Sequence, residues 1–246
     1  MREVLYGRNA VRECLRARRR HIQRLVLAQN IKPSAIINEI TALAQQQNVP
    51  VHEAGRKELD QLPGVHQGVA LEVGGYPAVH LLDILQHADR LNEPPFLVVL
   101  DHIEDPNNLG AILRTAEVVG VHGAIIPKQR AARITPAVVN ASAGASEHML
   151  VAEVANLAQT LTELKQKNVW VAGLEHAPGA VAFQQANLSG ALALVVGSEG
   201  QGLSRLVGET CDFVIKLPMR GQIESLNASV AAALALYEIW RARGYQ

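Results

Sequence analysis

Three short polar segments each follow a run of apolar residues, and each opens a helical pattern. The first is Asp101-His102-Ile103-Glu104-Asp105-Pro106-Asn107-Asn108-Leu109-Gly110, which leads into a helix bearing Arg114. The second is Gly197-Ser198-Glu199-Gly200-Gln201-Gly202, and the third runs from Leu217-Pro218-Met219 through Ser225-Leu226-Asn227-Ala228-Ser229. Polar residues at the carboxyl ends of buried strands sit where open α/β sheets place their ligands, and helix starts offer unpaired N–H groups to phosphates or carboxylates. Taken singly, each loop is explained as well by capping (Asn107 or Asn108, Ser225 or Asn227) or by a tight turn. Three such loops at three strand ends are harder to dismiss.

Several other chemistries lack their residues. The spacing G-x-x-G-x-G reverses the dinucleotide fingerprint, and no Gly-Lys-Ser/Thr follows it, which disfavours a Rossmann dehydrogenase and a P-loop NTPase. The nine histidines form no H-x-x-x-H pair, and Cys14 and Cys211 lie too far apart for a C-x-x-C, so no metal is expected. Both cysteines read as buried thiols in a reducing compartment. No G-x-S-x-G elbow is present. Aromatic residues make up 4%, too few to suggest base-stacking platforms, and Trp170, Trp240, Phe183 and Tyr237 read as core or interface anchors.

The elements that must hold these loops follow from periodicity. Apolar runs at 96–100, 123–126, 169–172, 191–196 and 213–217 predict strands buried on both faces, hence a mostly parallel sheet with crossover helices. Helices are expected over 109–119, 136–145, 155–167, 204–207 and 227–243, and Ala137, Ala141 and Ala145 give one of them a small face suited to close helix contact. Residues 1–76 read as a small α/β unit with helices over 8–18 and 33–47 and strands over 24–28 and 69–73, and residues 77–93 as a linker in which Leu81 to His87 can form a helical turn or two. The 246 residues are 48% apolar and 19% charged with zero formal net charge, which excludes disorder and coiled coil and leaves no overall basic excess to announce a nucleic-acid partner. The distribution is uneven: residues 1–76 carry eleven Lys/Arg against seven Asp/Glu, and eight arginines before position 25 face only Glu3 and Glu13. No apolar leader or membrane-spanning run is seen, so a cytoplasmic protein is expected.

In order and together, the three segments resemble those of the SpoU (TrmH) family of RNA ribose 2′-O-methyltransferases. Residues 105–116 are similar to its first motif, 194–202 to its second, and 215–219 with 225–229 to its third. The resemblance covers 94–246, and residues 1–76, with Tyr6-Gly7 and His66-Gln67-Gly68-Val69, resemble the substrate-binding domain of rRNA-modifying members. It implies an α/β fold with a trefoil-knotted, mostly parallel C-terminal sheet, S-adenosylmethionine as cofactor, and a homodimer whose site borrows from both subunits. The small-faced and C-terminal helices are the interface candidates.

By that match Asn108, Arg114, Glu199, Ser225 and Asn227 form the catalytic site, and Gly197, Leu217 and Leu226 contact the cofactor through main-chain groups. Because a guanidinium stays protonated, Arg114 is expected to clamp phosphate and stabilise a developing alkoxide rather than act as a base. Asn108 and Glu199 would position the ribose, with Ser225 and Asn227 on the cofactor side. Arg8, Arg12, Arg16 and Arg19 are the expected RNA contacts. The strongest likeness is to the bacterial enzyme that methylates a guanosine in the P-site loop of 23S rRNA, acting on rRNA or its assembling large subunit without membrane or metal. The alternatives are another rRNA or tRNA nucleotide, a non-catalytic RNA-binding protein, and a Rossmann-type nucleotide enzyme.

Overall fold

The computed structural model describes residues 2–62, 64–223 and 225–245, so Glu224 of the third loop lies outside the described residues. The chain divides into two units, Met1–Pro77 with Ile134–His148, and Ala78–Arg133 with Met149–Gln246.

In the first unit β1 (Arg2–Tyr6), β2 (Ile22–Ala28), β3 (Val51–Ala54) and β4 (Val69–Gly74) form one sheet in the order β1-β4-β2-β3. β1 and β2 run antiparallel to β4, and β3 runs parallel to β2. Helices α1 (Arg8–Ala17) and α2 (Ala35–Gln46) pack together because each carries an apolar stripe: Val11, Cys14 and Leu15 on one, Ile37, Ile40 and Ala44 on the other. The single turn α3 (Arg56–Leu59) buries Leu59.

The second unit is built from α4 (Leu81–Leu91), β5 (Phe96–Asp101), α5 (Pro106–Val118) and β6 (Gly123–Pro127). After α6 (Pro136–Ala141), which belongs to the first unit, come β7 (Val151–Val154), α7 (Leu157–Gln166), β8 (Trp170–Leu174), β9 (Val181–Ala182), β10 (Leu192–Gly197), α8 (Arg205–Thr210), β11 (Phe213–Lys216) and α9 (Ala228–Ala242). The seven strands are all parallel, in the order β7-β6-β5-β10-β8-β11-β9. Leu97, Val99, Ile125, Val171 and Val195 face a core closed by Ile84 and Leu85 of α4 and Leu161 and Leu164 of α7. The alternate residues Phe96, Val98, Leu100, Leu192, Leu194 and Val196 are equally buried, as strands covered on both faces require. α5 and α9 pack on each other, and α9 touches β10.

The chain leaves β5 for β6 on one side and β10 for β11 on the other, so the crevice between β5 and β10 is a topological switch point. Asp101 and Gly197, the last residues of these strands, are paired in register. Two of the three polar loops therefore start side by side.

The structure extends one reading of the sequence and corrects another. The helical turn or two allowed for Leu81 to His87 is a full helix, α4, which spans eleven of residues 77–93 and buries Leu81, Ile84, Leu85 and Ala88. The helix expected over 136–145 stops at Ala141, and residues 134–148 join the first unit. There Val138 and Val139 are fully buried, Asn140 Nδ2 donates to the Tyr6 carbonyl at 3.0 Å, and Gly144, at φ 90°, lies where a Cβ would come within 2.6 Å of the Glu13 Cβ.

Glu147 completes that attachment. Its carboxylate accepts from Arg20 Nε at 2.8 Å and from a terminal guanidinium nitrogen at 2.8 Å, while Arg20 also donates to Glu3 at 2.6 Å; the Arg20 and Glu147 side chains are 0% and 1% exposed. Removing one partner of a buried pair strands the other charge, so Arg20→Ala is expected to cost about 3–5 kcal/mol. Urea unfolding of the two proteins checks this; equal midpoints and slopes would show that the pair contributes nothing net.

Candidate functional site

At the switch point three side chains, one from each polar loop, meet. Asn227 Nδ2 donates to Glu199 Oε1 at 2.6 Å and to Asn108 Oδ1 at 2.9 Å, and Asn108 Nδ2 donates to Glu199 Oε2 at 3.3 Å. Local structure explains why these amides are free to meet. Asp105, not Asn107 or Asn108, caps α5, accepting from the backbone N–H groups of Asn107 and Asn108, both at 3.2 Å. Pro106 fits the first helical position, and Asn108 is left on the first turn with its side chain uncommitted. Asn227 caps α9 with Oδ1, which accepts from Ser229 N at 2.9 Å and Val230 N at 3.3 Å, while its amide nitrogen serves the cluster. Capping and clustering are thus one arrangement, and the acceptor and donor ends of the amide are fixed by their partners. Glu199 receives its hydrogen bonds beside the amino-terminal turns of two helices, whose dipoles favour an anion.

Next to the cluster lies a cavity of about 370 Å³ at the ends of β8, β10 and β11. Gly197, Leu217, Leu226 and Ser225 all line it, so the structure brings the three expected main-chain contacts and Ser225 to one cavity. Leu174, Val196, Met219 and Ala231 contribute apolar surface to its lining, and Glu175, His176 and Glu199 polar groups. The second loop doubles back, Ser198 and Gly202 exchanging backbone hydrogen bonds at 3.1 and 3.0 Å. This brings Gly202 so close that a Cβ on Gly197 would lie 2.2 Å from its carbonyl carbon. The loop is at once a tight turn and a cavity wall. Ser225 is exposed on that wall and makes no hydrogen bond to the cluster among the described residues, whereas Asn227, expected on the cofactor side, is tied to Asn108 and Glu199.

Arg114 is not brought to this cluster. It follows Asn108 by six positions on α5, which places it about 120° around the helix, and it is exposed with no hydrogen bond or ion pair among the described residues. One turn further on, Val118 is 54% exposed. The neighbouring α9 exposes Val230, Leu234 and Tyr237 at i, i+4 and i+7. Arg114 therefore shares a helix face with an exposed apolar residue, beside a second helix with an exposed apolar stripe.

The amino-terminal arginines are more heavily paired than their sequence surroundings suggest. Arg12 and Arg16 contact Glu13 at 2.7 and 3.1 Å, and both also pair with Glu39. Arg24 binds Glu72, as does Arg2. Arg19 donates to Tyr76 Oη and to the carbonyls of Glu147 and Pro77, an internal brace rather than a solvated cation. Arg18 is exposed and Arg8 half-buried, and among the described residues neither meets a carboxylate; Arg8 bonds neutral Gln67, donating through Nε to its carbonyl at 3.3 Å. Of the four expected RNA contacts, Arg12 and Arg16 are therefore paired with carboxylates, Arg19 is engaged by a hydroxyl and two backbone carbonyls, and Arg8 meets only Gln67 among the described residues.

Sequence reading missed Glu175 and His176, which follow β8 into the cavity; their place directly after an apolar run was the available signal. It placed Asp101 at the head of the first loop without giving it a role; the residue is fully buried, and its carboxylate accepts from Ser204 N at 2.6 Å and contacts His102 Nδ1 at 2.6 Å, tying the first loop to the second. The cysteines are not nucleophile candidates: burial pushes the Cys211 thiol up to about 12, and Cys14 is raised further. Among the described residues no three His, Cys, Asp or Glu side chains are grouped to hold a metal, and no helix is long and apolar enough to cross a membrane.

Comparison with known proteins places this geometry in context. Residues 95–237 match the profile of the SpoU rRNA Methylase family, and residues 4–79 match that of the RNA 2′-O ribose methyltransferase substrate-binding domain. A Bacillus subtilis protein named as a TrmH family tRNA/rRNA methyltransferase, YacO, is 46% identical over 243 residues, covering 98% of this chain and 96% of its own. A Staphylococcus aureus protein named for the same family is 44% identical over 241 residues, covering 98% and 96%. Among solved structures, the SpoU methyltransferase AviRb of Streptomyces viridochromogenes, in complex with AdoMet, superposes with a TM-score of 0.81 at 22% identity, covering 100% of this chain and 92% of that one.

Proposed function

The chain belongs to the SpoU rRNA methylase family of RNA methyltransferases, and from that membership we propose that it transfers a methyl group from S-adenosylmethionine to the ribose 2′-hydroxyl of a guanosine in the P-site loop of 23S rRNA. The observation that carries the reading is the hydrogen-bonded Asn108–Glu199–Asn227 cluster, one residue from each family motif, at the rim of a cavity lined by Gly197, Leu217 and Leu226.

The cavity fits the cofactor: its volume falls in the range of small-molecule sites, its lining mixes apolar side chains with a few polar and acidic groups, and the backbone at Gly197 is bare. When bound, S-adenosylmethionine supplies an activated methyl on a sulfonium. The chain's own work is orientation. Glu199 retains acceptor capacity beyond its two amide bonds and accepts the hydrogen of the 2′-hydroxyl; Asn108 and Asn227 hold that carboxylate in place. Arg114 stabilises the developing alkoxide and an adjacent phosphate.

Arg114 performs that role across a homodimer. A second copy docked on the exposed faces of α5 and α9 covers Val118, Val230, Leu234 and Tyr237 and carries Arg114 to the partner's cluster. The first unit captures RNA, the C-terminal segment threads the trefoil knot of the family, and the protein works in the cytoplasm. Mapping ribose methylation in rRNA from a strain lacking the gene tests the nucleotide. One 2′-O-methylguanosine in the P-site loop should vanish and return with the wild-type gene but not with Glu199→Ala; loss at a different rRNA or tRNA position would reject the nucleotide while keeping the chemistry.

Because Arg8 and Arg18 meet no carboxylate among the described residues, whereas Arg12 and Arg16 pair with Glu13 and Glu39 and Arg19 braces Tyr76 and two backbone carbonyls, Arg8 and Arg18 should carry phosphate contacts. Each lost contact flattens the dependence of log affinity on log salt by about 0.7–0.9. The Arg8→Ala, Arg18→Ala double variant is expected to show a slope shallower by about 1.5 with Arg12→Ala nearly unchanged; filter binding at graded salt reads both. Identical slopes for all three proteins would remove these arginines from RNA capture.

A further inference from the structure

A second cavity, of about 520 Å³, adjoins the cofactor site at Glu199. Its lining includes His102, Glu104, Asn108, Arg130, Glu199 and Gln201, so it shares Asn108 and Glu199 with the cluster and meets the cofactor cavity at Ser198 and Glu199. Its walls are tied together. Asp101 links the loop after β5 to Ser204 of the loop after β10, and the Ala132 N–H donates to the Ile103 carbonyl at 2.8 Å, holding the loop after β6 against the first. His102 and Arg130 both stand at positive φ, 59° and 52°, a conformation non-glycine residues adopt at a cost and hold at functional sites.

The lining presents two unused charges. Glu104 and Arg130 are both exposed, and neither forms a hydrogen bond or ion pair among the described residues, with each other or with any neighbour. A carboxylate accepts two parallel donors, and a guanidinium fork donates to two acceptors. Among the four RNA bases only guanine offers both complements, N1–H and N2–H on one edge and O6 with N7 on the other. Adenine lacks the N1 donor and sets its amino group where O6 would be, and the pyrimidines lack N7. His102, its Nδ1 held by Asp101, adds a fixed ring against which an unstacked base can lie.

We propose that this cavity receives the acceptor nucleotide, flipped out of its RNA, and reads it as guanine, with Glu104 accepting from N1–H and N2–H and Arg130 donating to O6 and N7. The proposal rests on the methyl-transfer reading above and adds the residues that choose the base. Both readers lie outside the cofactor cavity, so their loss should leave cofactor binding intact.

The test uses full-length wild type, Glu104→Gln and Arg130→Ala with RNA from a strain lacking the gene, followed by digestion to nucleosides and calorimetry with S-adenosylmethionine. Wild type should form 2′-O-methylguanosine alone. Each variant should form it with kcat/KM about ten- to a hundredfold lower, while cofactor affinity stays within about twofold. Formation of 2′-O-methyladenosine, -cytidine or -uridine by the wild type would overturn the guanine pocket and leave the methyltransferase reading standing. Variants that methylate guanosine at the wild-type rate would also overturn it, and absence of any 2′-O-methyl nucleoside would overturn both.

Discussion

Arg114→Ala should lower methyl transfer by about 10²- to 10³-fold, the usual consequence of removing one donor from a developing oxyanion, while cofactor affinity and dimerisation stay unchanged. The reason is positional. Arg114 lies about 120° around α5 from Asn108, exposed and unpaired among the described residues, so it contributes nothing to the cavity that Gly197, Leu217 and Leu226 line within its own chain. Arg114→Lys should rescue poorly, because a point charge does not reproduce a planar fork. Mixing Arg114→Ala chains with Glu199→Ala chains should restore activity that neither homodimer has, since a mixed dimer keeps one site with both groups. Failure of complementation in verified mixed dimers would return Arg114 to its own chain's site. Lost cofactor binding in a folded Arg114→Ala protein would remove it from the RNA side altogether.

The second large effect is expected at Gly197. Even Gly197→Ala places a Cβ 2.2 Å from the carbonyl carbon of Gly202 and 2.3 Å from its oxygen, both backbone atoms that no rotamer change can move. The loop must open, and with it the exchange of hydrogen bonds between Ser198 and Gly202 that shapes the cavity wall. Overpacking of this kind costs enough to lower cofactor affinity by about ten- to a hundredfold, with Gly197→Val at least as severe. Calorimetry on protein shown by circular dichroism to be folded measures it. Full affinity in Gly197→Val would mean that the second loop does not line the cofactor site.

What could be read from the sequence follows from the physics of each element. The strands β5, β6 and β10 are buried on both faces and announce themselves as continuous apolar runs, and β8 and β11, less completely buried, are still apolar runs in the sequence. β7 escaped because Glu153 interrupts its four-residue run, and β3 because three of its four residues are exposed. β1 carries Arg2 and Glu3 and owes its strand conformation to pairing with β4, a contact 70 positions away at the Arg2–Glu72 pair.

The site divides in the same way. Asn108, Glu199 and Asn227 could be named by resemblance, but their closure depends on loops 91 and 28 residues apart, brought together by the register of Asp101 with Gly197. The arginine cluster looks different in the fold for a related reason. Its counter-charges Glu39, Glu72 and Glu147 come from positions 23, 48 and 127 residues distant, so a local charge count sees a patch where the fold has mostly made pairs.

The central claim, methyl transfer to a ribose hydroxyl organised by the Asn108–Glu199–Asn227 cluster, is tested most directly by the chemical form of the product. RNA from a strain lacking the gene, treated with the protein and methyl-labelled S-adenosylmethionine and then hydrolysed with alkali, should yield its label in an alkali-resistant dinucleotide, because a methylated 2′-oxygen cannot attack the adjoining phosphate. Glu199→Ala protein that is folded and binds cofactor should yield almost none. Label recovered in alkali-released mononucleotides would place the methyl on a base and contradict the account, as would full ribose methylation by the Glu199→Ala variant.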